Sequence, residues 1–191
     1  MVADVADKGM AAALYMVLSR TLIRTYSIQH PRNPERVLAA VNRRLLSDIK
    51  TGHFVTVFYA ILDPAKGVLK YCNAGHNPPF YFKGVKEPEI QVLSRTGMAL
   101  GVLEEETWKQ EQIRIDQDDM LVVYSDGVID ALDANEVPYG TETLLSALKA
   151  NLGRPAQEVQ DDLLSRLAEF VGDAQPFDDI TLITITRDTS S

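Results

Sequence analysis

Cysteine is nearly absent from this chain: Cys72 stands alone among 191 residues. No intramolecular disulfide can form, and a reducing interior is the natural setting. With only three histidines beside that one cysteine, a structural zinc site is poorly supported. Basic tracts are missing as well. Nineteen Lys and Arg face 27 Asp and Glu, a formal charge of -8, so nothing neutralises a phosphate backbone and nonspecific nucleic-acid binding is disfavoured. Phosphorylated substrates stay open, because bound divalent ions can reverse the local sign of an acidic site. No apolar run approaches bilayer-crossing length and no basic-then-apolar leader opens the chain. The expectation is a soluble, cytoplasmic protein without membrane contact. Repeats, low-complexity segments and long linkers are lacking too. At this length, with 46% hydrophobic and 24% charged residues, we expect one domain over 1–187 and a polar tail over 188–191.

What is present is organised around Leu121-Val122-Val123-Tyr124-Ser125-Asp126-Gly127. A short apolar run ends in Ser-Asp-Gly, which reads as a buried strand delivering one carboxylate to its C-terminal edge. Hydrophobicity explains the strand and gives no reason to end it in an acid. Two other stretches share this look: Met1-Val2-Ala3-Asp4 at the start, and Asp178-Asp179 ahead of Ile180 to Thr186. Acids from the margins of three strands, distant in sequence, could converge on a cation. The plain alternative for Asp4 and Asp7 is helix capping, since negative charge is favoured at a helix N-terminus. Asp178 and Asp179 are costly at a buried margin unless paired, hydrogen-bonded or metal-bound.

Taken in order, a turn through Asp7-Lys8-Gly9 leads to a helix from Met10 to Ser27, with Leu14, Val17, Leu18, Thr21, Leu22 and Tyr26 at helical spacings. Asn33-Pro34 starts a packing helix running to about Ile49, burying Val37, Leu38, Val41, Leu45 and Leu46. Phe54 to Leu62 and Val68 to Asn73 form an antiparallel hairpin, and Phe80 to Phe82 and Ile90 to Leu93 continue the meander. Between them Asn73-Ala74-Gly75-His76-Asn77-Pro78-Pro79 is a loop of fixed path. His76 there either lies beside a phosphate or attacking water, or stabilises the loop as a donor. Gly97 to Val102 reads as a tight packing loop and Trp108 to Ile115 as an alternating strand. After Asp126, Asp130 lies one helical turn on and could face the same region. Helices follow over 141–151 and from Pro155, the latter with a stripe of Val159, Leu163, Leu164, Leu167, Phe170 and Val171.

Together, Asp4 to Ala12 (DVADKGMAA), Phe54-Val55-Thr56, the Asn73–Pro79 loop, Ser125-Asp126-Gly127 and Asp178-Asp179-Ile180-Thr181 resemble the PPM family of metal-dependent serine/threonine phosphatases, in its bacterial SpoIIE/RsbU-like branch. The resemblance runs from Met1 to about Ile185, and the order and spacing of the motifs are more specific than any one of them. It implies an α+β fold, a four-layer αββα sandwich with a pair of Mn2+ or Mg2+ ions at one edge. It makes Asp4 a bridging metal ligand with the Val5 carbonyl beside it, Asp126 and Asp178 further ligands, and Asp179 a residue that orders the site. Asp7, Gly9, His76, Asn77 and Gly127 become supporting or substrate-proximal positions. The implied reaction is hydrolysis of phosphoserine or phosphothreonine, on a phosphorylated anti-anti-sigma factor in stress or sporulation signalling, under an upstream sensory domain. Branch members carry a further N-terminal strand and a Gly-Gly-Asp segment ahead of the position of Met1. Their absence here sets the expectation of an unpaired sheet edge suited to homodimerisation, of fewer bound ions or none, and of a domain whose own catalytic competence stays open. Two rivals remain: a noncatalytic protein-binding or sensory domain on the same fold, and a small-molecule phosphoester hydrolase.

Overall fold

The computed structural model describes residues 1–48, 52–172 and 178–187. Position 49, the end expected for the second helix, lies outside the described residues, as do Phe177 and the expected tail 188–191. The chain divides into two compact units, one of Met1–Pro78 with Ser94–Arg114, the other of Pro79–Leu93 with the chain from Ile115 onward.

In the first unit, β1 (Val2–Val5), β2 (Val55–Asp63), β3 (Val68–Ala74) and β6 (Glu111–Arg114) form an antiparallel sheet in the order β1-β2-β3-β6. The β-branched and aromatic density of β2 suits a central strand, and the Asp63–Lys66 turn closes its hairpin with β3: the Lys66 amide donates to the Asp63 carboxylate at 3.2 Å. Helices α1 (Met10–Gln29) and α2 (Pro34–Asp48) belong to the same unit. Val37, Leu38, Val41 and Leu45 of α2 are fully buried with Val55 and Val57 of β2, while Leu46 is only partly covered. On α1 the buried residues are Ala12, Tyr15, Ser19 and Ile23, so Leu14, Val17 and Thr21 point outward instead of packing. The Ser19 hydroxyl donates to the Tyr15 carbonyl at 2.7 Å, which lets a polar residue enter the interface satisfied.

Buried Asn42 of α2 latches the glycine-bracketed loop. Its amide donates to the Leu103 carbonyl and its oxygen accepts from the Gly101 amide, both at 2.8 Å. Only Glu111–Arg114 of the expected strand 108–115 pairs with β3. Trp108 is instead held by its indole N–H on the Met98 carbonyl at 2.8 Å, under Gly97, where a Cβ would stand 2.8 Å from that same ring nitrogen.

The second unit holds the antiparallel sheet β5-β4-β7-β8, from β4 (Phe80–Lys83), β5 (Glu89–Val92), β7 (Met120–Tyr124) and β8 (Leu182–Thr186). Its helices are α3 (Asp126–Ile129), α4 (Gly140–Ala150) and α5 (Ala156–Val171). Every residue of β7 is buried, as a central strand's must be. Val159, Leu163 and Leu167 of α5 pack with Phe80, Val122 and Tyr124, while Leu164 of the expected stripe is exposed. Asp119, leading into β7, is buried and fully engaged: it accepts from the Tyr81 hydroxyl at 2.6 Å and from the Asp116 and Gly84 amides at 2.8 and 3.0 Å. That end of the strand is structural.

Candidate metal and phosphate site

In the first unit, β1 sets Asp4 opposite Thr56 of β2. Directly opposed residues of an antiparallel pair share a face. The Thr56 hydroxyl donates to the Asp4 carbonyl at 3.4 Å and lies 3.1 Å from Nδ1 of His76. A hydroxyl has one proton: given to Asp4, it leaves the imidazole to donate through Nδ1, and given to Nδ1, it leaves the Asp4 carbonyl. His76 is only 2% exposed, and its amide donates to the Asn73 side chain at 2.9 Å. Gly75 turns the loop at φ 73°, and a Cβ there would stand 3.0 Å from the Ala99 amide nitrogen. Next in this loop, the Asn77 side-chain nitrogen is buried with no hydrogen-bond partner among the described residues. A buried amide donor in that condition is one a ligand oxygen could complete.

Past β1, neither Asp4 nor Asp7 caps α1. The cap position is Gly9, at φ 94°, with no side-chain hydrogen bond and no acid in the first turn. Asp7 itself adopts the left-handed region at φ 86°, its carboxylate accepting from the Lys8 amide at 2.8 Å. The capping alternative is thereby corrected: neither acid reaches the helix end, and Asp7 is spent on the path of the turn.

In the second unit, Ser125 follows β7 and clasps the segment before β8. Its hydroxyl donates to the Asp179 carbonyl at 3.0 Å and accepts from the Thr181 amide at 2.9 Å, while the two backbones bond at 3.0 Å. Gly127 lies against the same segment: a Cβ would overlap the Asp179 carbonyl oxygen and stand 2.9 Å from its carbon. These contacts bring Asp126, first residue of α3, to the Asp178-Asp179 turn, where the Asp178 carboxylate accepts from the Asp179 amide at 2.9 Å. Asp130 joins them. Its carboxyl is held above the usual carboxylate range, first by desolvation and then by the negative charges of Asp126 and Asp178.

The structure therefore gathers Asp126, Asp130, Asp178 and Asp179 in one unit and Asp4, Val5, Asp7, Gly9, His76 and Asn77 in the other. No group of three or more His, Cys, Asp or Glu among the described residues is close enough to hold a metal ion. The donor chemistry is nevertheless of the kind hard cations take: carboxylates and backbone carbonyls. Sequence reasoning placed no role on Thr56 or on the Ser125 hydroxyl. The Phe-Val-Thr and Ser-Asp-Gly spellings marked both positions, but only strand register shows what each hydroxyl reaches.

A family model described as "Stage II sporulation protein E (SpoIIE)" matches residues 1–188. Among curated proteins, the chain is 31% identical to protein IcfG of Synechocystis over 97% of its own length and 33% of IcfG. It is 30% identical to the phosphoserine phosphatase RsbU of Bacillus subtilis over 97% of its length and 54% of RsbU. The chain thus spans a third to about half of these relatives. Among solved structures, the SiaA-PP2C domain of Pseudomonas aeruginosa matches with a TM-score of 0.79 at 21% identity, covering 97% of this chain and 74% of that one. The last likeness shows the fold: α+β, two four-stranded antiparallel sheets with their helices, the αββα sandwich type.

Proposed function

The chain belongs to the SpoIIE family of PPM-type serine/threonine phosphatases, and from that premise we propose that residues 1–187 act as one phosphatase domain hydrolysing phosphoserine or phosphothreonine in a protein. The observation that carries this reading is the Ser125 clasp, which serves to hold Asp126 beside Asp178 with Asp130 close enough to feel both charges. Nothing about packing calls for three acids at the end of a buried strand. A divalent cation accounts for them.

In the second unit Asp126 and Asp178 would hold Mn2+ or Mg2+, and in the first unit Asp4 with the Val5 carbonyl would do so. When bound, such a pair supplies Lewis-acid chemistry, lowering the pKa of a water and offsetting charge on the phosphoryl oxygens. The chain's residues do the rest. Gly127 and Asp179 fix the spacing of the two acidic turns, and Asp7 and Gly9 shape the turn that follows Asp4. Thr56 holds the Asp4 carbonyl and His76 holds Thr56, and the buried Asn77 amide offers a donor to a phosphoryl oxygen. Cys72 takes no part: burial pushes its thiol up to about 12, far from a thiolate nucleophile at neutral pH.

The substrate we assign is a phosphorylated anti-anti-sigma factor, in a stress or sporulation pathway, with a sensory domain upstream in the complete protein and action in the cytoplasm. No helix among the described residues is long and apolar enough to cross a membrane. The rival reading, a noncatalytic binding domain, is favoured by one observation: no three metal-ligating groups stand together among the described residues. Phosphate release from a phosphoserine protein, with and without manganese, separates the two. Manganese-dependent turnover that falls at least about a hundredfold in Asp126→Asn supports catalysis, and binding of the phosphoprotein without turnover at any manganese concentration supports the rival.

A further inference from the structure

The two ends of the β7–β8 pair are not alike. Past Tyr124 and before Leu182 stand the acids of the candidate site; at the other end, Met120 pairs with Thr186. There the second unit holds a polar cavity of about 180 Å3. Gln117 and Asp118 line it from the turn before β7, Gly153 and Arg154 from the turn between α4 and α5, and Thr186 and Arg187 from the end of β8. The length of β7 sets this cavity about 15 Å from Asp126, and no acid of the candidate site lines it.

The second unit has three arginines, Arg154, Arg166 and Arg187, and two of them line this one cavity. Neither of the two guanidiniums is loose. Arg154 donates from Nε to Glu158 at 3.1 Å and from Nη1 to the Asn151 oxygen at 2.6 Å, and Arg187 donates from Nη1 to the Ile115 carbonyl at 3.1 Å. A guanidinium carries five donors in a fixed fork, so these bonds set each plane and use part of each fork. Glu158 is exposed, and its pair with Arg154 orients more than it neutralises. The walls are fixed as well. Gly153 turns at φ 81° against Val85, where a Cβ would stand 3.3 Å from the nearest valine methyl. Of the two acids in the lining, Asp119 is taken up by the Tyr81 hydroxyl and the Asp116 and Gly84 amides. Asp118, exposed, is the acid presented to a ligand.

We propose that this cavity binds a sugar phosphate, its phosphoryl group between Arg154 and Arg187 and its hydroxyls donating to Asp118, with Gln117 and Thr186 beside them. Guanidinium forks match phosphoryl oxygens through charge-assisted bonds. A carboxylate accepts from hydroxyls and repels a second anion. A dicarboxylate or tricarboxylate would therefore set its far charge against Asp118. Inorganic phosphate alone underfills the space, since a cavity of about 150 Å3 already takes a six-carbon ring. The inference stands apart from the phosphatase reading, because it uses the opposite end of the strands.

The test is calorimetric titration of the whole 191-residue chain in EDTA, where no divalent cation can hold a phosphoryl group at the acidic turns. Ribose 5-phosphate should bind with one site, at least about tenfold more tightly than inorganic phosphate, ribose or citrate. Arg154→Gln and Arg187→Gln should each weaken it by at least about tenfold. Asp118→Asn should bring ribose 5-phosphate down to the affinity of inorganic phosphate and leave phosphate itself no weaker. Circular dichroism shows whether each variant is folded. Asp118 is exposed, so its variant tests the hydroxyl end even where an arginine variant fails to fold. No saturable binding of ribose 5-phosphate, equal binding of inorganic phosphate, preference for citrate, or binding that survives both arginine variants unchanged would each overturn the proposal.

Discussion

Gly127→Ala adds one methyl group at the closest approach in the second unit. That Cβ would overlap the Asp179 carbonyl oxygen, stand 2.9 Å from the carbonyl carbon and 3.4 Å from that of Asp178. All three are backbone atoms, so no side chain can swing aside. The Asp178-Asp179 turn must retreat by on the order of 1 Å to restore an ordinary contact. Retreat stretches the Ser125–Asp179 hydrogen bond, now 3.0 Å, so overpacking of about 1–3 kcal/mol adds to a lost bond of about 1 kcal/mol. For a chain of this size, ~3 kcal/mol lowers the melting temperature by roughly 6–12 °C. Ser125→Ala, which removes the hydroxyl and adds no bulk, should lower it by about half as much. Both variants displace Asp178 relative to Asp126, and a shift of about 1 Å in a catalytic constellation is worth roughly a hundredfold in rate. Thermal unfolding followed by circular dichroism, alongside manganese-dependent phosphate release, measures both effects. If Gly127→Ala melts within 1–2 °C of the parent (about 0.5 kcal/mol) and turns over normally, the two acidic turns are not spaced by this contact, and the reasoning fails.

Two further expectations follow from titrating groups. Cys72, its thiol pushed up to about 12 by burial foremost and by the charge of Glu35, should resist iodoacetamide at pH 8 in the folded protein and react within minutes in denaturant; rapid labelling of the native chain would contradict its place in the core. Asp162 is held below its ordinary value of 3.8, chiefly by the Arg166 side chain and then by Asn151, so its stabilisation is full above pH 3.8 and fades as pH falls through the lower folded value. The melting-temperature gap between the parent and Asp162→Asn should therefore be constant from pH 7 to 5 and close below pH 3.8, and a gap independent of pH would refute the assignment.

Most of the fold was written in local pattern. The apolar run before Ser125 is β7, the turn at Asp63–Lys66 closes the β2–β3 hairpin, and Pro34 opens α2. Two readings failed for identifiable reasons. The alternation from Trp108 to Ile115 overstated β6, because Trp108 is buried by an indole hydrogen bond under Gly97 and not by strand pairing. On α1, helical spacing alone fits more than one face; Leu14, Val17 and Thr21 lie on the outer one, and the inner one is Ala12, Tyr15, Ser19 and Ile23. For the site, the acids were legible because an acid beside an apolar run needs a reason. The hydroxyls that hold them were not: Thr56 reaches His76 across 20 residues and Ser125 reaches Asp179 across 54, and only the register of the strands sets those pairs.

The Ser125 clasp has a mechanical consequence. With three hydrogen bonds and a glycine contact tying the end of β7 to the start of β8, the acidic turns of the second unit share a single degree of freedom. Neither carboxylate can drift while the other stays. A perturbation reaching either strand is therefore transmitted to both acidic turns at once.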